Sequence, residues 1–309
     1  MTHEQNIIEV IQPGLLTTVQ DRGRNGFQAY GVPRSGALDP FLAATANKLV
    51  GNSAEAALLE FALVGPTLRF NRETWISIAA FSCDYTVAGN HIPEFTAFRL
   101  PAGSLLEFKR MAGWFGYLGI EGGLIIDPVL GSASTYLAGK LGDRLQKSQR
   151  LISGNATVMH LSVRRGFLGF RASSILPVLP ALHTDLYPEH ERHKLADEEF
   201  TVTMHSNRMG IYLEGAPIEA PPVKRSVPAF PGTIQIPQSR QPIILGPEGP
   251  TTGGYPQIGV MSKIGWTKLA QLRPGNKVRF EWIEVEQAQR VWSYRNRILE
   301  TREAWEVIE

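Results

Sequence analysis

Leu58-Leu59-Glu60-Phe61-Ala62-Leu63, then Gly65-Pro66, then Thr67-Leu68-Arg69-Phe70 sets the character of this chain. Two short apolar or alternating runs are parted by a glycine and a proline, which turn a chain and cannot extend a sheet ladder. The pattern recurs downstream. Trp75 to Phe81, Tyr85 to Val87, Phe95 to Leu100 and Ser104 to Lys109 are further runs, punctuated by Gly89-Asn90 and Pro101-Ala102-Gly103. Trp114 to Ile120 continues it to Glu121-Gly122-Gly123. Strands at this spacing, with turn chemistry between them, predict a barrel or sandwich.

Upstream, Ile7 to Ile11 reads as a strand stopped by Pro13-Gly14, and Leu15 to Val19 leads into the polar loop Gln20 to Gly26. A second loop, Gly31 to Pro40, ends in a helix start. Asp39 is a natural N-cap, and Pro40 at the first helical position loses no needed donor. The helix runs through Phe41, Ala44, Ala46 and Leu49, and Gly51-Asn52 stops it. Downstream, Pro128 to Arg144 is glycine-rich and irregular, Thr157 to Val163 is a strand candidate, and Phe167 to Ser174 and Pro177 to Pro180 lead to Tyr187 to Lys194, a solvated connection or short exposed helix. Strands resume at Phe200 to Met204, Ile211 to Leu213, Thr233 to Ile236, Pro242 to Leu245 and Lys277 to Ile283. Trp266 to Ala270 is a candidate short helix, and Glu284 to Trp305 carries helical spacing. One echo links the halves. Leu100-Pro101-Ala102-Gly103-Ser104-Leu105-Leu106-Glu107-Phe108 and Leu272-Arg273-Pro274-Gly275-Asn276-Lys277-Val278-Arg279-Phe280 share a turn followed by an alternating strand. That repeat suggests two related β-units.

Composition agrees. A chain of 309 residues can build two cores, and 30 glycines with 21 prolines favour a turn-rich, strand-rich protein over a helical bundle. With 31 Lys and Arg against 29 Asp and Glu, the net charge of +2 implies neither a nucleic-acid surface nor a polybasic membrane patch. Cys83, the single cysteine, cannot form an intramolecular disulfide and reads as a buried structural thiol. No basic segment leads into an apolar one at Met1 to Gln5, and no apolar run reaches bilayer length, so a soluble cytoplasmic protein is expected.

Pro250-Thr251-Thr252-Gly253-Gly254-Tyr255-Pro256 is where chemistry concentrates. Two hydroxyls, two glycines and a tyrosine between prolines make a loop that can present N–H groups and hydroxyls to a carboxylate, amide or phosphate, or else a plain Gly-Gly turn. Stronger signatures are absent: no phosphate loop, dinucleotide fingerprint, Cys-x-x-Cys, His-Glu-x-x-His or Gly-x-Ser-x-Gly. His190 and His193 lie in an exposed charged run, so no metal site is expected. Polar residues at turns remain. Asp21 and Arg24 can face one pocket or pair with each other. Ser35-Gly36 and Asp39 precede a helix whose N-terminus favours an anion, and for Asp39 a capping role competes. Arg208, in Ser206-Asn207-Arg208-Met209-Gly210, can hold a carboxylate bidentately or sit on the surface. His183-Thr184-Asp185 offers a base and an orienting carboxylate, or a turn.

Taken in order, several of these loops resemble one family. The motifs are Thr17-Thr18-Val19-Gln20-Asp21-x-Gly23-Arg24, Gly31-Val32-Pro33-x-Ser35-Gly36-Ala37-x-Asp39-Pro40, Arg208-Met209-Gly210, Pro231-Gly232-x-Ile234-Gln235-Ile236-Pro237 and Thr251-Thr252-Gly253-Gly254-Tyr255-Pro256. They are similar to the C-type subunit of bacterial ATP-dependent 5-oxoprolinase. The same family is called allophanate hydrolase subunit 2, the Kip-type antagonist of a kinase inhibitor, and the carboxyltransferase domain of urea carboxylase. The resemblance implies a mainly β fold with a few helices, in two cyclophilin-like β-barrel units, which we place at about residues 1–165 and 166–309. It also implies B-type and A-type partner subunits, and ATP-driven opening of 5-oxoproline to glutamate. ATP is expected in the complex rather than assigned to this chain, with no metal. Asp21, Arg24, Arg208 and Tyr255 would be the catalytic residues. Gln20, Ser35, Gly36, Asp39, Asn207, Thr251, Thr252, Gly253 and Gly254 would bind substrate. Gln20, Asp21, Arg24, Ser35 and Asp39 would line one side of a cleft, and Arg208 with Thr251 to Tyr255 the other, Asp21 positioning water. The alternatives are a carboxyltransferase-type subunit acting on a urea-like amide and a non-catalytic binder of a kinase-inhibitor homologue. The chain departs from the family at Asn207, where aspartate is usual, and at Pro247-Glu248-Gly249-Pro250, where an aspartate often stands.

Overall fold

Alternation and turn chemistry become strands in the computed structural model, which describes residues 6–81, 83–87, 89–91, 93–155, 161–163, 174–301 and 305–307. The chain divides into two units: Met1–Arg24 with Ser35–Gly169 and Ile298–Glu309, and Asn25–Arg34 with Phe170–Arg297.

In the first unit the strands are β1 (Asn6–Gln12), β2 (Leu16–Gln20), β3 (Leu58–Ala62), β4 (Thr67–Phe70), β5 (Thr74–Ala79), β6 (Cys83–Val87), β7 (Asn90–His91), β8 (Ala97–Leu100), β9 (Leu105–Met111), β10 (Phe115–Ile120), β11 (Arg150–Ser153) and β12 (Leu161–Val163). They form a six-stranded sheet, β11-β1-β4-β9-β6-β7, and a five-stranded sheet, β2-β3-β10-β5-β8. Apolar faces of both sheets meet in one core. Ile8, Val10, Leu68, Phe70 and Leu106 come from the first, and Leu59, Phe61, Ile76, Ile78 and Leu118 from the second. Helix α1 (Pro40–Leu49) lies on β10 and β5. Gly119 of β10 lets it come close, since a Cβ there would meet the Ala46 carbonyl oxygen at 2.5 Å. The Ser77 hydroxyl donates to that same carbonyl at 2.6 Å. Cys83 is buried among this core, and burial first, with the Glu94 and Asp84 carboxylates, pushes its thiol up to about 12. It stays protonated and inert at neutral pH, as a structural thiol should.

In the second unit, α2 (Glu189–Asp197), α3 (Lys263–Leu269) and all but the last three residues of α4 (Val285–Glu300) accompany β13 (Ile175–Pro180), β14 (Phe200–Val202), β15 (Gly210–Glu214), β16 (Val227–Pro228), β17 (Thr233–Gln235), β18 (Ile243–Leu245), β19 (Thr252–Gly253), β20 (Gln257–Met261) and β21 (Lys277–Trp282). Seven of these strands close a barrel in the order β13-β20-β17-β18-β15-β14-β21. A parallel seam joins β13 to β21, with Leu176 opposite Phe280 and Val178 opposite Trp282. Val178, Phe200, Ile211, Ile234, Ile244, Ile258 and Val278 fill the interior, all essentially buried. The pair β16–β19 stands apart as a two-stranded ribbon. Back in the first unit, β22 (Trp305–Val307) pairs with β12. Of the Thr157 to Val163 strand expected from sequence, residues 157–160 lie outside the described residues, and only the end is seen as β12.

The expectation of two barrels is corrected. Among the described residues there is one closed barrel, in the second unit; both large sheets of the first remain open. The reason is at the edges. Closure needs two long edge strands in register, and the six-stranded sheet ends on β7, a two-residue strand of exposed Asn90 and His91. The sequence echo nevertheless marks the same turn twice. Gly103 and Gly275 both adopt positive φ, and their N–H groups donate to Phe70 and Val202 carbonyls at 2.8 and 2.7 Å. No described helix is long and apolar enough to cross a membrane.

Candidate functional site

The polar loop after β2 is held from two directions. One Asp21 oxygen accepts from the Gly23 N–H at 2.7 Å and from the Ser132 and Ser134 hydroxyls at 2.6 and 2.5 Å. The other accepts from the Ala133 N–H at 2.7 Å, while the Asp21 N–H donates to Ser134 Oγ at 3.0 Å. Arg24 lies fully buried beside it; its Nε donates to the Val129 carbonyl at 3.3 Å and its Nη2 to the Ser134 carbonyl. The loop is thereby clasped to Val129–Ser134, in the glycine-rich stretch whose irregular character the sequence did suggest. Gln20 is buried, its amide donating to Thr18 Oγ1 at 3.0 Å and the Thr135 carbonyl at 3.2 Å. Gly36 has φ of 88° and brings the second loop against the first, since a Cβ there would stand 3.0 Å from the Gly23 nitrogen. Ser35, beside it, is a non-glycine residue at φ 56°, a conformation that persists when its surroundings fix it.

Asp39 caps α1: one carboxylate oxygen accepts from the Phe41 and Leu42 N–H groups at 3.1 and 3.2 Å. Its own N–H donates to the Tyr117 hydroxyl at 2.6 Å, which donates to Glu60 at 2.8 Å. Glu60 also receives the Leu38 N–H at 2.6 Å. Burial first, then the Glu60 and Asp39 carboxylates, hold the Tyr117 phenol well above its ordinary range, so it remains a donor. Neither Glu60 nor Tyr117 was singled out from the sequence. The available signal was an acid in the middle of β3, a strand buried along its whole length.

Burial raises the Asp21 carboxyl, but hydrogen bonds from Ser132, Ser134, Gly23 and Ala133 outweigh it and hold the group below the ordinary carboxylate range. Its folded pKa is depressed, so its contribution to stability is present above the unfolded value near ~3.9 and is lost as pH falls through the folded one. Wild-type stability should therefore drop on acidification below about pH 4. Asp21→Asn should flatten that limb and lower neutral-pH stability by about 1–3 kcal/mol, measured by urea unfolding at several pH values. An unchanged acid limb would show that Asp21 is not the group responsible.

In the second unit, Arg208 and Glu248 form an ion pair, Nε to Oε1 at 2.5 Å, with side chains 7% and 9% exposed. The backbone welds the two loops around them. Glu248 N–H donates to the Arg208 carbonyl at 3.1 Å and Gly246 N–H to the Met209 carbonyl at 2.9 Å. Asn207 is exposed and makes a local turn, its side-chain oxygen accepting from the Met209 N–H at 2.8 Å. Thr252 and Gly253 form β19, paired with Val227 and Pro228, and the Thr251 carbonyl accepts from the Ala229 N–H at 2.9 Å. Gly254 and Tyr255 are exposed, and Thr251 half-buried. Sequence reading noted the position of Glu248 without giving it a role. His183 and Asp185 do not form a base and its orienter: His183 Nδ1 accepts from the Gln257 N–H at 3.1 Å, and exposed Asp185 lies 3.9 Å from Arg192. His190 and His193 face Glu191 and Glu189 on α2, and no metal-ligating cluster occurs among the described residues.

The first unit thus offers two fixed polar loops, and the second a buried arginine–carboxylate pair and a small polar ribbon. Known proteins share this chain's sequence and fold. The chain is 33% identical to the C-type subunit of 5-oxoprolinase from Escherichia coli (strain K12), over 91% of this chain and 93% of that protein. It is 27% identical to the urea amidolyase of Saccharomyces cerevisiae (strain ATCC 204508 / S288c), over 92% of this chain but 17% of the longer one. The crystal structure of K. lactis urea amidolyase superposes with a TM-score of 0.90 at 25% identity, over 97% of this chain and 20% of that chain. The carboxyltransferase domain family, subdomains A and B, matches residues 30–282, and this chain belongs to it.

Proposed function

We propose that this chain is a carboxyltransferase-type subunit that works on the carbonyl of a small planar amide. Its first candidate substrate is 5-oxoproline, opened to glutamate together with B-type and A-type partner subunits. The observation that carries this reading is the end-to-end match, which spans 93% of the Escherichia coli 5-oxoprolinase chain. In this reading Arg208, oriented by Glu248, holds the substrate carboxylate, since a fixed guanidinium suits bidentate recognition. Thr251, Thr252 and the Gly253–Gly254 backbone direct hydroxyls and N–H groups at the amide carbonyl, where charge develops. Tyr255 covers the ring, and Asn207 shapes the turn that carries Arg208. In the first unit Asp21 and Arg24 keep the Gln20–Arg24 loop in shape, while Ser35, Gly36 and Asp39 fix the loop beside it.

The N-terminus of α1 is already filled by the Asp39 carboxylate, which takes the place an anion would occupy there. ATP is placed in the complex rather than assigned to this chain, and no step is derived through it.

A second reading is carboxyl transfer to a urea-like amide, favoured by the family match and by the likeness to urea amidolyase. The two readings share substrate geometry and differ in partner. Reconstitution decides between them. Glutamate released from 5-oxoproline with ATP and the B- and A-type subunits supports the first. Bicarbonate-dependent carboxylation of urea with a biotin-carrying partner supports the second, and neither product in either mixture overturns both.

A further inference from the structure

We propose that Gln235 receives the carbonyl oxygen of the amide substrate beneath the Thr251–Gly254 arm, an inference that rests on the functional reading above. Gln235 ends β17 between Ile234 and Ile236, is 3% exposed, and its Nε2 is buried with no hydrogen-bond partner among the described residues. A buried amide donor without an acceptor is destabilising, and native proteins keep few of them without a use. Its neighbour on β20 shows the ordinary outcome: Gln257 Nε2 donates to the Pro228 carbonyl at 2.9 Å.

What lies against the Gln235 amide is a glycine. A Cβ built at Gly253 would come 2.8 Å from Nε2 and 3.6 Å from Cδ and Oε1. Gly253 does not belong to the positive-φ glycines, so backbone conformation does not demand the missing side chain. Space does. The glycine leaves the amide facing the inner side of the Thr-Thr-Gly-Gly segment, where Ser226 Oγ would stand 3.7 Å from a Cβ at Gly254. A neutral N–H in a dry, fixed position suits the oxygen of an amide carbonyl and gains strength from the low local dielectric.

Access is provided by the way the arm is attached. On this side it is held through β16 and β19 by two residue pairs, Val227 with Gly253 and Pro228 with Thr252, and by the Ala229–Thr251 hydrogen bond. A ribbon this short has little stability of its own and lifts without disturbing the barrel. The arm then closes over a ligand seated on Gln235.

The test is calorimetric titration of the full chain, assembled with its partner subunits, with 5-oxoproline, 2-pyrrolidinone and urea. Wild type is compared with Gln235→Leu and with Gln235→Met, which keeps the length of the side chain and removes the donor without adding a charge. Binding of 5-oxoproline and 2-pyrrolidinone should weaken by about tenfold or more in both variants, with the thermal midpoint of Gln235→Met no lower than that of wild type. Loss confined to 5-oxoproline would mean that Gln235 serves the carboxylate and would overturn the carbonyl assignment. Undiminished affinity in Gln235→Met, or a lowered midpoint with affinity intact, would overturn the inference while leaving the functional reading standing. Absence of binding by wild type to all three compounds would sink the functional reading itself, and the inference with it.

Discussion

Replacing Glu248 by alanine is expected to destabilise the second unit by about 3–5 kcal/mol and to abolish activity in the reconstituted enzyme. The side chains of Arg208 and Glu248 are largely buried, so removing the carboxylate takes the ion-pair partner from a guanidinium in a poor solvent for ions. The lost stability is the penalty for that stranded charge more than the worth of the pair. Replacing both residues, as Arg208→Met with Glu248→Leu, should therefore recover much of the stability while activity stays absent. Urea unfolding of the two single variants and the double variant measures the coupling. If the double variant were less stable than either single one, the stranded-charge account would be wrong. Glu248→Asp, which keeps the charge on a shorter arm, should retain most stability and reduce turnover.

Arg24→Ala carries the second large expectation, a loss of about 3–5 kcal/mol in the first unit. Arg24 is among the largest fully buried side chains, so truncation opens a cavity as well as removing donors from the Val129 and Ser134 carbonyls. Lysine should not rescue it, because one ammonium cannot reproduce the fork that meets two carbonyls. Differential hydrogen exchange should show lost protection at Gln20–Arg24 and Val129–Thr135 together, since one clasp holds both. Loosening of only one segment would argue against a shared anchor.

How legible these arrangements were depends on range. Strands from Leu58 to Ile120 could be read because alternation and turn residues are local properties. The α1 start could be read because Asp39 and Pro40 act within one helical turn. Closure could not be read: whether β7 is long enough to carry a seam depends on a register set by distant strands. Asp21 was recognised as a polar loop residue, but its partners Ser132 and Ser134 lie 111 and 113 residues away in a stretch without periodicity. Glu248 sits between Pro247 and Gly249, where no pattern announces a buried acid. Gln235 is flanked by apolar residues on a three-residue strand, too short for alternation to reveal which way it points.

The barrel seam has a consequence for how the protein is made. Strand β13 finds its parallel partner only in β21, about a hundred residues further along, so the nascent chain must wait for Lys277–Trp282 to leave the ribosome before the cylinder can shut. Until then Ile175–Pro180 and Phe200–Val202 present bare rims, the feature that recruits chaperones or drives clumping. Expression hosts that pause late in translation, or fragments cut before Lys277, should yield insoluble material from an otherwise sound sequence.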